Sequence, residues 1–455
     1  MPFSSRLACE IARLGADWVR EAASTRVRWF LVFGLFVLSA VAYVDRINIA
    51  IAGNSIASEF HLTNVQLGSL TSAFLMGYAL FQTLGGWLAD RLGPRRVLAV
   101  GVLWWGIFTA LTTVVSPKIA FAIFYLAAMR FLLGAGEAVM FPASNQFVSR
   151  WIPTQERGIA NGVIFAGVGV GAGVTPGLIS YIIVHYGWRW SFWASALLGL
   201  IAGTAWYFFA RDTPEQHASV SAAELEHIQA GRTVKTSATS KSSNGRIPWG
   251  TILASKEVWA VTLGYFSFGY VAWIFFAWFF IYLRNVRGLD LKASASYTTL
   301  LFLTMAACSP LGGAISDKLT KLYGKRIGRC GIAVFALSLT AIFLAFGSQV
   351  HSARLASIVL AGGAGALYLS QSSFWSVTAD IALGSSGSVS GFMNMGNQIG
   401  GALTASLTPA IASRLGWTVP FYVAAGLAAL GAVAWVFVNP ERTLSTASSS
   451  SPSTE

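Results

Sequence analysis

Gly86-Trp-Leu-Ala-Asp90-Arg91 closes one long apolar stretch, and Gly313-Ala-Ile-Ser-Asp317-Lys318 closes another 227 residues later. A second marker repeats at almost the same interval: Gly158, Gly162 and Gly187-Trp188 return as Gly387, Gly391 and Gly416-Trp417, each shifted by 229. Two different markers at nearly one spacing mean that the chain carries a duplicated unit. Around them lie apolar stretches long enough for the ~20 residues that cross a bilayer as a helix. Six are placed near 28–50, 66–88, 97–116, 119–146, 158–184 and 190–209, and six near 257–283, 294–316, 327–348, 352–380, 386–413 and 418–438. The expected fold is all-α and integral to the membrane, with twelve transmembrane helices in two six-helix bundles related as parallel repeats, an arrangement that puts a substrate site between the halves. The expected organisation is an N-terminal segment 1–27, a first bundle 28–210, a linker 211–256, a second bundle 257–440 and a Ser-rich tail 441–455.

Composition agrees with this reading. Of 455 residues, 55% are hydrophobic and 11% charged, with mean hydropathy +0.61, against about 25% charged in soluble domains. The net charge of +13 would suggest nucleic acid in a soluble chain, but here its placement matters more. Both termini fall on one side of an even number of spans. That side collects 22 of the 31 Lys and Arg, the opposite loops seven, and Arg46 and Arg130 lie inside spans. Both termini are therefore expected in the cytoplasm, with no nucleic-acid partner. Cys9, Cys308 and Cys330 are far apart and indicate neither a disulfide framework nor a metal site. Before Arg28, Arg6, Glu10, Arg13, Asp17 and Arg20 interrupt the apolar positions, so no cleaved signal peptide is expected. Phe3, Leu7, Ile11, Leu14 and Trp18 recur at helical spacing, which fits a helix lying on the membrane surface as well as a loose tail.

Gly86-Trp-Leu-Ala-Asp90-Arg91-Leu-Gly93-Pro-Arg95-Arg96-Val-Leu98 resembles the loop signature of the major facilitator superfamily, departing from it at Pro94, where a basic residue is usual. Tyr43-Val-Asp45-Arg46-Ile-Asn48 and Arg130-x6-Glu137-x3-Phe141-Pro142-Ala143, continuing to Trp151-Ile-Pro153-x2-Glu156-Arg157-Gly158, resemble the anion:cation symporter family. The resemblance covers nearly all twelve spans and implies proton-coupled import of an organic anion by alternating access. Its bacterial members take up sugar acids such as galactonate, glucarate or hexuronates, and commonly work as monomers in the inner membrane. The absence of an Asn-x-Ser/Thr sequon fits that location. The resemblance also makes Asp90, Arg91, Arg95 and Arg96 a state-dependent latch, alongside a purely topogenic role for the same charges. It directs Tyr43 and Tyr78 into the cavity from the first half, and Ser372, Trp375 and one of Asn394 and Asn397 from the second. Proton-drug antiporters of the superfamily carry Gly-Pro-x-x-Gly-Gly in the fifth span. Here the stretch reads Thr175-Pro176-Gly177-Leu178, which favours symport.

The residue types suit that chemistry. A charge in hydrocarbon costs at least ~2.5–3.5 kcal/mol, so Asp45, Arg46, Arg130 and Glu137 need a cavity or one another. Asp45 and Arg46 point about 100° apart on a helix, whereas Arg130 and Glu137 share a face. Pairing between the first and fourth spans follows. Arg46 is expected to hold the substrate carboxylate with its planar guanidinium, and Arg130 to hold Asp45 or Glu137. Burial favours the protonated form of a carboxyl and an adjacent Arg the ionised form, so Asp45 and Glu137 are the proton-coupling candidates. A static ion network that only braces the bundle is the competing reading. Gln371, with the aromatic and amide groups just named, could hydrogen-bond a polyhydroxylated acid. Trp104 and Trp105 are expected to pack or face lipid.

Other classes fit poorly. No Gly-x4-Gly-Lys-Ser/Thr loop for an ATP-driven pump is present. His61, His185, His217, His227 and His351 fall in loops or loop edges without a nucleophile at a common depth, so no enzyme, cofactor or metal is expected. A receptor would need an output domain, for which the tail after Leu444 is too short.

Overall fold

The structure is a computed structural model that describes residues 25–119, 121–231, 247–382 and 384–444. The N-terminal surface helix and most of the Ser-rich tail lie outside the described residues. Every regular element among those described is helical. The first half holds spans Val27–Phe60, Asn64–Leu92, Pro94–Leu111, a fourth in two pieces (Ala122–Glu137 and Met140–Trp151), Arg157–Tyr186 and Trp188–Phe209. The second half repeats the order. Lys256–Ala277 continues through Phe279–Ile281 and a π-turn at Tyr282–Val286. Leu291–Lys325, Ile332–Gln349, a tenth span again in two pieces (Ala353–Leu369 and Gln371–Ile381), Ser386–Leu415 and Thr418–Val436 follow.

Some boundaries moved. The first span was expected to end at Ala50 but continues as helix through Asn54, Ser55 and Glu59, because polar residues beyond the hydrocarbon do not stop a helix. His61, at φ 52°, stops it. The second, third and eleventh spans are not apolar enough to be recognised by length and hydropathy alone. The second and eleventh lie against each other between the bundles, where polar residues meet protein instead of lipid.

Glycine carries the duplication into three dimensions. Gly93 (φ 92°) joins the second span to the third and Gly324 (φ 86°) the eighth to the ninth, while Gly187 (φ 86°) and Gly416 (φ 82°) join the fifth to the sixth and the eleventh to the twelfth. Only glycine adopts this backbone without strain, so each turn stays short and keeps consecutive helices antiparallel neighbours. The fifth span uses opposite faces of its glycine run. Gly167 and Gly171 lie on the backbone of the first span at Phe36 and Ala40, and Gly162 and Gly169 on the eighth at Pro310 and Ala306. This close approach is what small residues allow between membrane helices.

Two crossings tie the halves together at the end of the molecule where the first span begins and the twelfth finishes, called here the basic end. Gly86 meets the backbone of Gly387, and Gly313 meets the backbone of Gly158. A side chain at Gly86 or Gly313 would run into main chain. The double substitution Gly86→Leu/Gly313→Leu should therefore hold this end apart. Overpacking of ~1–3 kcal/mol moves a two-state equilibrium about 5- to 150-fold. Distances between spin labels placed on the two bundles at that end should lengthen; unchanged distances would show that these crossings do not control closure.

The described part of the linker is more ordered than its composition suggests. Its first part forms the helix Ala222–Ala230, docked by Glu224, whose buried carboxylate accepts from the backbone N–H groups of Val27 and Arg28 and pairs with the Arg28 guanidinium at 3.0 Å. It thereby satisfies orphan donors at the start of the first span. Arg28 also reaches Glu156, which takes a further hydrogen bond from His227 at 2.7 Å. Burial pushes the Glu156 carboxyl up, but the bonds from Arg28 and His227 outweigh it and hold it below the usual carboxylate range.

Candidate functional site

Midway along the first span the helix presents Tyr43 and Arg46 to the space between the bundles. The Arg46 guanidinium lies 4.6 Å from the Tyr43 ring centroid and 4.5 Å from that of Tyr78 on the second span, a stacked cation with its edge directed at Glu137. Its Nε donates to Glu137 Oε1 at 3.1 Å, its Nη2 makes a shorter bond to the same oxygen, and its Nη1 reaches Tyr43 Oη at 3.3 Å. Glu137 sits at the break in the fourth span, fully buried, and its Oε2 has no hydrogen-bond partner.

This corrects the expected pairing. Arg130 does not hold Glu137 or Asp45 in a hydrogen bond. Its three guanidinium nitrogens have no partner, and it lies 4.8 Å from the Phe74 ring, near enough to both carboxylates for their charges to act on it. Asp45, rotated from Arg46 by the helical step, points into the first bundle, and neither carboxylate oxygen has a partner. Arg130 and Asp45 thus form a buried layer behind the cavity and do not line it.

The second bundle completes the wall with Gln371, Asn394 and Asn397. Both asparagines face the space, where one was expected. Asn394 Nδ2 donates across the bundles to Gln82 Oε1 at 2.8 Å. Trp375 and Ser372 stand behind the wall. Trp375 Nε1 donates to Tyr265 Oη at 2.9 Å, Gln371 Nε2 to the same oxygen at 2.8 Å, and the indole packs on Phe141 and Phe165. Ser372 is buried without a hydroxyl partner. Tyr265, Tyr368, Gln82 and Gln398 belong to this environment and were missed. Tyr265 and Tyr368 are isolated hydroxyls in apolar spans and Gln82 and Gln398 stand among other polar residues, and no spacing separates any of them from an interfacial or packing residue. Trp105 is buried, while Trp104 is exposed and donates to Leu132 O, both within the packing or lipid-facing roles expected.

The cavity is narrow, with about 30 Å³ free, room for a water or two. Its polar atoms without partners include Tyr78 Oη, Gln371 Oε1, Asn397 Oδ1 and Gln398 Oε1. A cation therefore stands on one wall and neutral hydrogen-bonding groups on the other, which together match an anion with a polar body.

At the basic end two carboxylates cap helices of the opposite bundle. Asp90 accepts from the backbone N–H of Gly387 at 2.9 Å and of Ser388 at 2.8 Å, and Asp317 from those of Gly158 at 2.9 Å and Ile159 at 2.7 Å. Helix N-termini favour this negative charge. Of the four latch candidates, Asp90 alone crosses to the other half. Arg91 lies over Trp87, Arg95 is held by Asp212 and the Tyr207 carbonyl of its own bundle, and Arg96 faces outward. The cross-bundle cations are instead Arg157, paired with Asp380 at 2.5 Å, and Arg329, paired with Asp317 at 2.6 Å and donating to Thr154 O at 2.7 Å. Asp317 was legible as the repeat of Asp90; nothing in its surroundings marked Asp380.

The family model described as Major Facilitator Superfamily matches residues 33–405 and 324–453. A probable sulfoacetate transporter of Cupriavidus necator is 32% identical over 417 residues, covering 91% of this chain and 94% of the relative. A hexuronate transporter of Bacillus subtilis is 28% identical over 416 residues, covering 90% and 94%. Among solved structures, a proton:xylose symporter superposes with TM-score 0.74 at 13% identity, covering 92% of this chain and 97% of that one, which shows the shared fold. With its duplicated twelve-span architecture and these relatives, the chain belongs to the major facilitator superfamily, in its anion:cation symporter family, and is a multi-pass membrane transporter and not an enzyme.

Proposed function

We propose that the protein imports a small organic anion with protons across the bacterial inner membrane, as a monomer with both termini in the cytoplasm, by alternating access. The observation that carries this is the single oxygen of Glu137 holding Arg46 at the edge of the cavity. An incoming carboxylate or sulfonate competes for that guanidinium. Glu137, released in a buried setting with Oε2 unpartnered, then takes a proton, because an unpaired charge there is costly. Proton and anion binding are thereby linked, and the linkage is reciprocal. Tyr43, Tyr78, Gln371, Asn394 and Asn397 orient the polar body of the substrate, Trp375 and Ser372 support that wall, and Asp45 with Arg130 supplies a second site where charge can shift. Asp90 belongs to the latch of the basic end, with Arg91, Arg95 and Arg96 setting orientation.

A sugar acid such as galactonate, glucarate or a hexuronate is the substrate class favoured by the amide-rich second wall. A shorter anion is the second reading, favoured by the small free volume of the cavity and by the relative named for sulfoacetate. Purified protein in liposomes with a luminal pH dye distinguishes them. One anion of a panel containing both classes should acidify the lumen. Glu137→Gln should keep exchange of labelled for unlabelled substrate yet lose substrate-driven acidification. Normal acidification by this variant would favour the static brace, and outward movement of substrate against inward protons would favour an antiporter.

A further inference from the structure

The face of the third span turned away from the cavity carries two apolar grooves that meet at one cation. One runs between the second, third and fourth spans, with Leu88, Val100 and Trp104 among its walls, and has a volume of about 520 Å³. The other runs between the third and sixth spans, past Leu103 and Tyr207, with about 340 Å³. Arg96 and Val100 line both. Glycines hollow them out: Trp104 lies on Gly136 and Val139 on Gly101 in the first, and Gly203 lines the second.

The chemistry at the mouth is one-sided. Arg96 is exposed and makes no hydrogen bond or ion pair among the described residues, although Arg95 beside it is fixed over Tyr207 at 4.4 Å and by Asp212. From Arg96 to Trp104 the helix rises about 12 Å, most of one leaflet of a hydrocarbon core ~30 Å thick. Two apolar channels of leaflet length, diverging from one arginine at the membrane surface, match a molecule with two hydrocarbon chains joined at an anionic head. A free anion would leave both channels uncovered, and a zwitterionic head would set its own cation against Arg96.

We infer that this face is a binding site for an anionic diacyl phospholipid, its phosphate on Arg96 and one acyl chain in each groove astride the third span. The site lies outside the transport cavity and uses none of its residues. One groove rests on Gly136 and Val139, at the break in the fourth span beside Glu137, so an occupied groove buttresses the backbone that presents that carboxylate.

Native mass spectrometry of the full chain released from detergent, with dioleoyl phosphatidylglycerol or dioleoyl phosphatidylcholine added at equal concentration, tests it. Phosphatidylglycerol adducts should exceed phosphatidylcholine adducts about tenfold, and Arg96→Ala should bring the two level. Val100→Trp, which fills the place where the grooves join, should lower phosphatidylglycerol binding with Arg96 intact. An unchanged melting temperature in lipid-free detergent shows that both variants fold. Dihexanoyl phosphatidylglycerol and glycerol phosphate should not displace the long-chain lipid; displacement by either would mean that the head alone is recognised and would overturn the two-groove site. Equal binding of both lipids, or full phosphatidylglycerol binding by folded Arg96→Ala, would overturn it as well.

Discussion

Arg46→Ala is expected to lower substrate exchange in proteoliposomes about 1,000-fold, the equivalent of ~4 kcal/mol. Two losses add. The guanidinium stacked between Tyr43 and Tyr78 disappears as the anion's partner, and Glu137, fully buried and bonded through one oxygen, loses the cation that holds it. Truncating one side of a buried, hydrogen-bonded charge pair costs ~2–5 kcal/mol, much of it the cost of the charge left behind. Arg46→Lys keeps the charge but not the plane. It should forfeit the stacking and the second N–H, and lose about 10- to 30-fold, near ~1.5–2 kcal/mol. Exchange measured below and above half-saturation separates binding from turnover. Exchange near the unaltered level in folded Arg46→Ala would remove Arg46 from the substrate site.

Asp317→Ala should cost the closed basic end ~3–5 kcal/mol, and Asp90→Ala only ~1–2 kcal/mol, although the two are related by the repeat. Both cap a helix of the opposite bundle through two backbone N–H groups. The difference is the partner. Asp90 takes a further bond from the Ser388 hydroxyl at 2.6 Å, so the donors bonded to it are neutral, and the Arg150 charge acts on it from nearby. Asp317 takes Arg329, a guanidinium with no solvent exposure whose other contacts are the Ser316 hydroxyl at 3.1 Å, the Thr154 carbonyl and, at 3.8 Å, Asp380. Removing Asp317 strands most of that charge. Thermal unfolding in detergent and the label distances at the basic end should both rank the variants in this order. Equal losses would mean that the Arg329 pair contributes nothing to closure.

Much of the fold is legible in the sequence. The duplication was visible in Gly86/Gly313 and Gly158/Gly387, and the crossings Gly86–Gly387 and Gly313–Gly158 show why: a glycine required by a close backbone approach leaves a mark at a fixed position. Arg46 and Glu137 stood out because a charge in hydrocarbon is expensive wherever it is found. The expected pairing of Arg130 was wrong for a geometric reason. Arg130 and Glu137 do share a face of the unbroken piece Ala122–Glu137, but two turns separate them, and across the helices Arg46 takes Glu137 while Arg130 lies against Phe74.

The sequence by itself determined the class of molecule, the number and order of spans and the two halves, and it singled out the buried charges as site candidates, because hydropathy, glycine placement and the cost of buried charge act locally along the chain. The tertiary structure alone decided which charge meets which. The choice of Arg157 for Asp380 and Arg329 for Asp317, the withdrawal of Arg91, Arg95 and Arg96 from the latch, and the gathering of Tyr265 with Gln371 and Trp375 depend on the rotation and depth of helices brought together from distant parts of the chain. A one-residue step turns a side chain by 100°. Span boundaries read from hydropathy are uncertain by several such steps, so the partners become definite only once the helices are packed.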